Sequence, residues 1–319
     1  MGNLSPDESM HSSSGKKTLH ALWGLMVVVS VIIYGSHAPL IFKCKVNGEI
    51  PFSSSAVVLL IEFTKLIMSI ALLLVWDQRS LDMPVTWRLV APYALPAILY
   101  CVNNNLVVHM QHFMDPSTFQ VLSNLKIVST AFLYSFFLHK KLSFKKWLAL
   151  LLLMAAGVFY SYGGIQEVET VSSLNHLYVT LPGLLLMLLY CFISGLSAIY
   201  TEVTLKTQTL PLNMQNIFLY SFGIVANLAA HFSSRHSSGF FDGFSIWVLV
   251  IIGSQALNGL IMSAIMKHSS NITRLFVISF SMLVNGLLSF VLLQLQLTVL
   301  FFVAVALIGI AVYLYYGAK

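Results

Sequence analysis

The chain has 319 residues, of which 58% are hydrophobic and only 9% are charged. A soluble domain carries roughly 25% charged residues because its surface faces water, so this composition excludes a soluble globular protein and predicts one embedded in lipid. The net charge of +6 does not indicate a nucleic-acid-binding protein, because anionic lipid headgroups are sufficient partners for the basic loops of a membrane protein.

Ten windows of about 20 mainly apolar residues, the length that crosses the hydrocarbon core, follow one another along the chain. They span approximately 19–42, 54–76, 89–111, 117–138, 144–163, 180–204, 213–234, 244–267, 272–294 and 297–317. The predicted fold class is therefore an all-α integral membrane protein with ten transmembrane helices. The polar residues 1–17 are predicted to form a disordered cytosolic arm.

The distribution of Lys and Arg predicts the orientation. Of the 17 such residues, three lie within helices, three lie on one side of the membrane (Lys43, Lys45 and Arg235), and eleven lie on the other. The eleven are Lys16, Lys17, Arg79, Arg88, Lys140, Lys141, Lys145, Lys146, Lys206, Lys267 and Lys319. Because these residues concentrate in cytoplasmic loops, both termini are predicted to be cytosolic. The sequons at Asn3 and Asn271 fall on that side, so neither is expected to carry glycan.

Ionisable residues inside a hydrocarbon span cost about 2.5–3.5 kcal/mol each on insertion scales, so each needs a physical reason. In the second helix, Glu62 and Lys65 are three residues apart on one face, which fits a structural ion pair or a gating element. In the third helix, Asn103, Asn104 and Asn105 form an amide cluster. Such amides either bridge helices or read a nucleobase edge or sugar hydroxyls.

Two further cations lie in later helices. Lys126 is near the middle of the fourth helix, which contains no acidic residue, so it either meets a carboxylate from another helix or awaits an anion. Arg274, at the start of the ninth helix, either snorkels to headgroups or brackets a diphosphate together with Lys126. In the sixth helix, Glu202 and Lys206 have the spacing of a favourable pair at a cytosolic helix end.

The cysteines Cys44, Cys101 and Cys191 match no metal or redox spacing, and no paired carboxylates or nucleophile–base spacing is present. We therefore expect no enzyme activity, no metal and no cofactor.

A polar interval at 164–178 divides the chain near its middle. It predicts a first five-helix repeat at 18–163, a luminal connecting loop at 164–178, and a second five-helix repeat at 179–319 with a short cytosolic C-terminus. Residues 127–164 and 282–317 share a helix–loop–helix plan with a glycine–tyrosine close. An odd number of helices in each half would invert the second repeat, as in many carriers. The alternative is that apolar helices with short loops simply look alike.

Six segments, in order along the chain, resemble motifs of the nucleotide-sugar transporter family within the drug/metabolite transporter superfamily. They look most similar to the subfamily of CMP-sialic acid and UDP-galactose transporters. The segments are Glu62-Phe63-Thr64-Lys65-Leu66, Tyr100 to Asn105, Gln120 to Ile127, Gln215-Asn216-Ile217 with Tyr220 and Gly223, Gly259-Leu260 with Ser263 and Lys267, and Asn271-Ile272-Thr273-Arg274.

This resemblance implies a ten-helix fold of two inverted repeats that exchanges a cytosolic nucleotide sugar for a luminal nucleoside monophosphate, usually as a multi-pass protein of the Golgi membrane. Lys126 and Arg274 would hold the phosphates. The nucleotide pocket would be lined by Asn103, Asn104, Gln120, Asn216 and Tyr220.

Departures from the family pattern leave the cargo open. Asn103 replaces a glutamine, Phe119 replaces a tyrosine, and Arg274 replaces a lysine with its positive charge retained. A UDP-, CMP- or CDP-linked sugar or sugar alcohol therefore fits. The rival interpretations are an exporter of another small organic anion and a non-transporting scaffold or regulator of related carriers. Association into homo-oligomers or with related transporters is also left open.

Overall fold

The computed structural model describes residues 6–46, 50–78, 82–110, 113–114, 116–169, 180–233, 239–294 and 296–317. In these ranges the chain forms ten helical rods and no strand, so the predicted all-α class is confirmed there. Eight rods are α1 (Pro6–Cys44), α2 (Ser54–Trp76), α5 (Phe144–Glu169), α6 (Leu181–Thr207), α7 (Leu212–Ser233), α8 (Ile246–His268), α9 (Asn271–Leu293) and α10 (Val299–Val312, continued by a π turn at Tyr313–Gly317).

The other two rods are interrupted by 3₁₀ turns. The rod α3 consists of Trp87–Val90, a 3₁₀ turn at Ala91–Tyr93, and Ala94–Met110. The rod α4 consists of Pro116–Leu122, a 3₁₀ turn at Ser123–Leu125, and Lys126–Phe137. A 3₁₀ stretch in mid-helix often marks a functional hinge.

Seven of the rods, α1, α2, α5, α6, α8, α9 and α10, are individually long and apolar enough to cross a membrane. The 3₁₀ turns divide α3 and α4 into shorter pieces, and α7 carries polar residues in its first turns. The chain is thus a multi-pass membrane protein.

Two boundaries differ from the prediction. Helix α1 begins at Pro6, inside the interval 1–17 that was predicted to be disordered. A proline at the first position and acidic residues in the first turn both favour a helix start. Helix α5 continues through Glu169, so the predicted loop at 164–178 begins as helix, and residues 170–178 lie outside the described residues.

The rods pack in a specific set of pairs. The largest interfaces join α1 with α9 and α8, α2 with α7 and α8, α3 with α6 and α7, α4 with α6, and α5 with α10. Glycines permit two of these contacts: a Cβ on Gly35 of α1 would lie 2.8 Å from the carbonyl oxygen of Ser281 on α9, and a Cβ on Gly195 of α6 would lie 3.3 Å from the backbone of Thr130 on α4. The largest buried apolar cluster lies among α4, α5, α6, α9 and α10.

Connections that were predicted to be cytosolic meet at one end of the bundle. Hydrogen bonds join them in pairs, from Asn213 Nδ2 to Asp77 Oδ2 at 2.9 Å and from Lys267 Nζ to the Leu210 carbonyl at 2.8 Å. At the opposite end, the backbone of Thr180 donates to Phe113 at 3.1 Å and ties the start of α6 to the α3–α4 connection.

The two ends predict a glycosylation pattern. A sequon inserted between α1 and α2, or between α7 and α8, should be glycosylated, because the sparsely basic end is expected to be luminal. A sequon inserted between α2 and α3 should stay bare, as should the native Asn271. A gel shift removed by an endoglycosidase measures each case, and the reverse pattern would refute the orientation.

Candidate functional site

A cavity of about 350 Å³ lies inside the bundle among α1, α2, α3, α6, α7, α8 and α9. Its polar lining consists of Tyr34, Glu62, Lys65, Tyr100, Asn104, Thr201, Tyr220, Asn227, Gln255, Asn258, Ser263 and Arg274. Ionisable and polar groups at membrane depth usually face a cavity or one another and mark a substrate pathway. The cavity is therefore the candidate functional site.

Helical spacing divides the cavity into four levels. The α8 positions Gln255, Gly259, Ser263 and Met266 are three or four residues apart and share one face, as do Tyr220, Gly223 and Asn227 on α7. From the end with the predicted cytosolic connections inward, we name a cationic level (Arg274 and Met266), a tyrosine level (Tyr220 and Ser263), an ion-pair level (Glu62 and Lys65) and a carboxamide level (Asn104, Asn227, Gln255 and Asn258).

At the cationic level, Arg274 points into the cavity and does not snorkel to headgroups. Its Nη1 donates to the Tyr100 hydroxyl at 3.3 Å and lies 3.9 Å from the Met266 sulfur, and the Tyr34 hydroxyl lies close to the guanidinium. Its Nε is buried without a hydrogen-bond partner. Among the described residues no carboxylate forms a salt bridge with Arg274. A cation held in this way has unused capacity for an anion.

At the tyrosine level, the hydroxyls of Tyr220 and Ser263 are 3.1 Å apart and join α7 to α8. Both side chains are buried. The level therefore presents neutral hydroxyl groups next to the cation.

At the ion-pair level, Lys65 and Glu62 are joined by a salt bridge. The Lys65 ammonium also lies 4.4 Å from the centroid of the Tyr220 ring. Two glycines make room for the pair: a Cβ on Gly223 would lie 2.9 Å from Glu62 Oε2, and a Cβ on Gly259 would lie 2.6 Å from Lys65 Cδ. The pair is thus fitted between α7 and α8 and neutralises itself inside the cavity.

At the carboxamide level, the amides are only partly satisfied by protein. Asn227 Nδ2 donates to the Gly223 carbonyl at 2.8 Å, and Ser30 Oγ donates to Asn258 Oδ1 at 2.6 Å. Gln255 Nε2 is buried without a partner. Sequence reasoning missed Asn227, Gln255 and Asn258, although their recurrence at helical spacing in apolar helices was a usable signal.

The structure separates the seven predicted binding residues into two groups. Those that line the cavity are Arg274, Asn104 and Tyr220. Those outside its lining are Lys126, Asn103, Gln120 and Asn216.

Lys126 lies directly after the 3₁₀ turn of α4. In that turn, Asn124 donates to Ser161 Oγ of α5 at 3.3 Å, and its amide fills the space beside Gly157. Lys126 is within electrostatic range of Arg274, and in the described ranges it has no ion-pair partner. The two cations that were predicted to bracket a diphosphate are therefore near each other, but of these two only Arg274 lines the cavity.

The three asparagines of the α3 cluster have different surroundings. Asn103 is 8% exposed and its amide lies close to the Tyr190 hydroxyl of α6, which places it between the two helices. Asn105 donates back to the Cys101 carbonyl of its own helix at 2.8 Å. Asn104 is the member that faces the cavity.

The Glu202–Lys206 pair is also present, with 2.6 Å between Oε1 and Nζ. Glu202 is fully buried, and its Oε2 accepts a hydrogen bond from the backbone nitrogen of Asn271 at 2.8 Å. Lys206 reaches the Ser269 carbonyl at 2.5 Å. A carboxylate at a helix N-terminus is favourable, so this pair fixes the start of α9, one turn before Arg274.

A polar cavity with an unpaired guanidinium, enclosed by apolar helices, is the arrangement of a membrane transporter. The sequence profile of the nucleotide-sugar transporter family matches residues 19–316. The chain belongs to the nucleotide-sugar transporter family, whose members are transporters and not enzymes.

Relatives cover almost the whole chain. "Probable UDP-sugar transporter protein SLC35A4" of Xenopus tropicalis is 70% identical over 317 residues, covering 99% of each protein. The human protein with the same name is 52% identical over 308 residues, covering 94% of this chain and 95% of that protein. A solved crystal structure shares the fold at a TM-score of 0.70 and 12% identity, covering 93% of this chain and 96% of the other.

The fitted ion pair predicts a difference between two glycines of α8. Gly259→Ala should destabilise the protein by about 1–3 kcal/mol, as overpacking does, because its methyl group displaces Lys65 from Glu62 and Tyr220. Gly253→Ala is the matched control, since a Cβ there meets nothing within 4 Å. Thermal unfolding in detergent measures both, and equal unfolding temperatures would contradict the fit.

Proposed function

We propose that this chain is a nucleotide-sugar antiporter. It moves a cytosolic pyrimidine nucleotide-activated sugar or sugar alcohol, UDP-, CMP- or CDP-linked, into the Golgi lumen in exchange for a nucleoside monophosphate. The observation that carries the proposal is the Arg274 guanidinium, which faces the cavity with neutral tyrosines for neighbours.

Phosphate is the chemical group that this guanidinium fits best. Arginine binds phosphate through paired, charge-assisted hydrogen bonds, and Arg274 has a buried Nε without a partner. The other cavity cation, Lys65, is neutralised by Glu62. We assign Lys126 as the second phosphate ligand, reached when the 3₁₀ turn before it changes conformation.

The neutral part of the cargo, which comprises the nucleoside and the sugar, occupies the rest of the cavity. Asn104 and Tyr220 face it directly. Asn103, Gln120 and Asn216 lie on α3, α4 and α7, and we propose that they complete the pocket in a conformation in which Lys126 also turns inward. The buried Oδ1 atoms of Asn103 and Asn216 have no partner, which leaves them free to accept a hydrogen bond.

Alternating access would follow from two inverted repeats, 18–163 and 179–319, joined by the luminal segment 164–178. The packing pattern supports this. Exchanging each helix with the one five positions away converts the α1–α9, α1–α8 and α2–α8 interfaces into α6–α4, α6–α3 and α7–α3, and all six are among the largest interfaces. The two close-approach glycines, Gly35 at α1–α9 and Gly195 at α6–α4, exchange in the same way. Rocking one bundle against the other would then expose the cavity alternately.

Obligate exchange would follow from the charge of the empty cavity. A buried, unpaired cation is costly to enclose, so an empty carrier resists reorientation. A nucleoside monophosphate entering from the lumen removes that cost and returns the site to the cytosolic side. An exporter of another small organic anion would need the same cation. That rival function therefore differs from the proposed one only in the anion that is carried.

The test is exchange in proteoliposomes loaded with UMP or CMP. External pyrimidine nucleotides and nucleotide sugars should stimulate efflux. Arg274→Gln should raise the half-saturating concentration by roughly tenfold to hundredfold, because charge-assisted hydrogen bonds contribute about 1.5–3 kcal/mol. Arg274→Lys should fall between, because it keeps the charge and loses the paired geometry.

Arg88→Gln is the matched control, because Arg88 is exposed at the start of α3 and outside the cavity. It should leave the half-saturating concentration unchanged. If no pyrimidine nucleotide stimulates flux in the unsubstituted protein, the proposed function fails. If Arg274→Gln behaves like Arg88→Gln, Arg274 is not the phosphate ligand.

A further inference from the structure

The carboxamide level lies at the other end of the cavity from Arg274. On α8, Met266 contacts Arg274, and Gln255 is eleven residues earlier on the same face. At 1.5 Å per residue, the two positions are about 16 Å apart along the helix axis. On α3 and α7 the same level is fixed by Cys101, whose sulfur lies 3.4 Å from the carbonyl of Ala226, the residue before Asn227.

The amide groups at this level that have no protein partner are neutral, and they include both hydrogen-bond donors and acceptors. Ser30 donates a hydrogen bond to the Asn258 oxygen, which leaves the Asn258 NH₂ available as a donor. The Asn227 NH₂ donates to the Gly223 carbonyl, which leaves the Asn227 oxygen available as an acceptor. Gln255 contributes a buried NH₂ without a partner. A buried amide in this state requires a hydrogen-bonding guest or ordered water.

The tyrosine hydroxyls of the cavity are directed toward its other levels. The hydroxyls of Tyr34 and Tyr100 reach Arg274, and Tyr220 lies between Lys65 and Ser263. Proteins that bind an unpaired base commonly stack it on an aromatic ring, whereas the groups that remain available at this level are amide donors and acceptors. A sugar hydroxyl both donates and accepts, and therefore matches the mixed amides without stacking.

The level also disfavours an acidic group. Its nearest charged residues are Glu62 and Lys65, which neutralise each other. A carboxylate placed there would lose its hydration without gaining a cation.

We propose that Asn227, Gln255 and Asn258 form the subsite for the transferred group of the cargo, and that this group is an uncharged, hydroxyl-rich one rather than an acidic sugar. The inference rests on the proposed function and deepens it. Arg274 then holds the phosphates at one end, and the three amides select the sugar at the other.

The experiment measures dissociation constants of UMP, UDP-glucose and UDP-glucuronate for the purified full chain by ligand-dependent thermal stabilisation. UDP-glucose and UDP-glucuronate differ only in the oxidation of one sugar carbon to a carboxylate. The unsubstituted protein should bind UDP-glucose at least tenfold more tightly than UDP-glucuronate. Gln255→Met should weaken UDP-glucose about tenfold, as the loss of one or two hydrogen bonds would, and should leave UMP within twofold.

Asn105→Leu is the matched control, because the Asn105 amide bonds only within its own helix and lies outside the cavity lining. It should change none of the three constants. An equal loss of UMP and UDP-glucose in Gln255→Met would show that the level reads the nucleoside and would overturn the proposal, as would no loss of either.

A preference of the unsubstituted protein for UDP-glucuronate would overturn the proposal without any variant, which covers the case of a Gln255→Met protein that does not fold. If neither UMP nor the UDP-sugars stabilise the unsubstituted protein, the proposed function itself fails and the subsite with it. If UMP binds and depends on Arg274 while Gln255→Met has no effect, the subsite alone is wrong.

Discussion

A guanidinium at membrane depth is stable only where the surrounding protein satisfies it, and the environment of Arg274 does so incompletely. Tyr100 accepts one of its hydrogen bonds, and its Nε remains buried and unpartnered. The rest of the site is arranged around this residue. Glu202, which could have neutralised a cation, is committed to Lys206 and to the first residue of α9. That commitment fixes the start of α9 and keeps the carboxylate away from Arg274.

The Glu62–Lys65 pair, in contrast to Arg274, is neutralised within the protein. Its two charges cancel within one turn of α2, and the glycines Gly223 and Gly259 let the pair fit between α7 and α8. The charge of the cavity is therefore concentrated at one end and absent at the other. For the proposed phosphorylated cargo, this asymmetry would define a direction in the cavity, with the anionic centre at Arg274 and the neutral portion at the carboxamide level.

The fold could be predicted from sequence because the length and composition of apolar windows reflect the lipid solvent directly, and the boundaries of α2, α6 and α8 followed from them. Windows of that kind do not detect helix outside the membrane, so the start of α1 and the end of α5 were missed. Lys65 and Lys126 show the limit for the site. Both are lysines in mid-span, and only the packing of neighbouring helices decides that Lys65 lines the cavity and Lys126 does not. Gln255 was missed because the prediction from sequence followed charged residues and contiguous clusters, and not neutral amides that recur at helical spacing.

The most direct measurement of the central claim is an experimental structure of the full chain in complex with UMP. The account predicts the phosphate in the cavity within about 3 Å of Arg274, the distance of a charge-assisted hydrogen bond, with the nucleoside extending toward Tyr220. A phosphate bound away from Arg274, with the guanidinium still held only by its tyrosines, would contradict it.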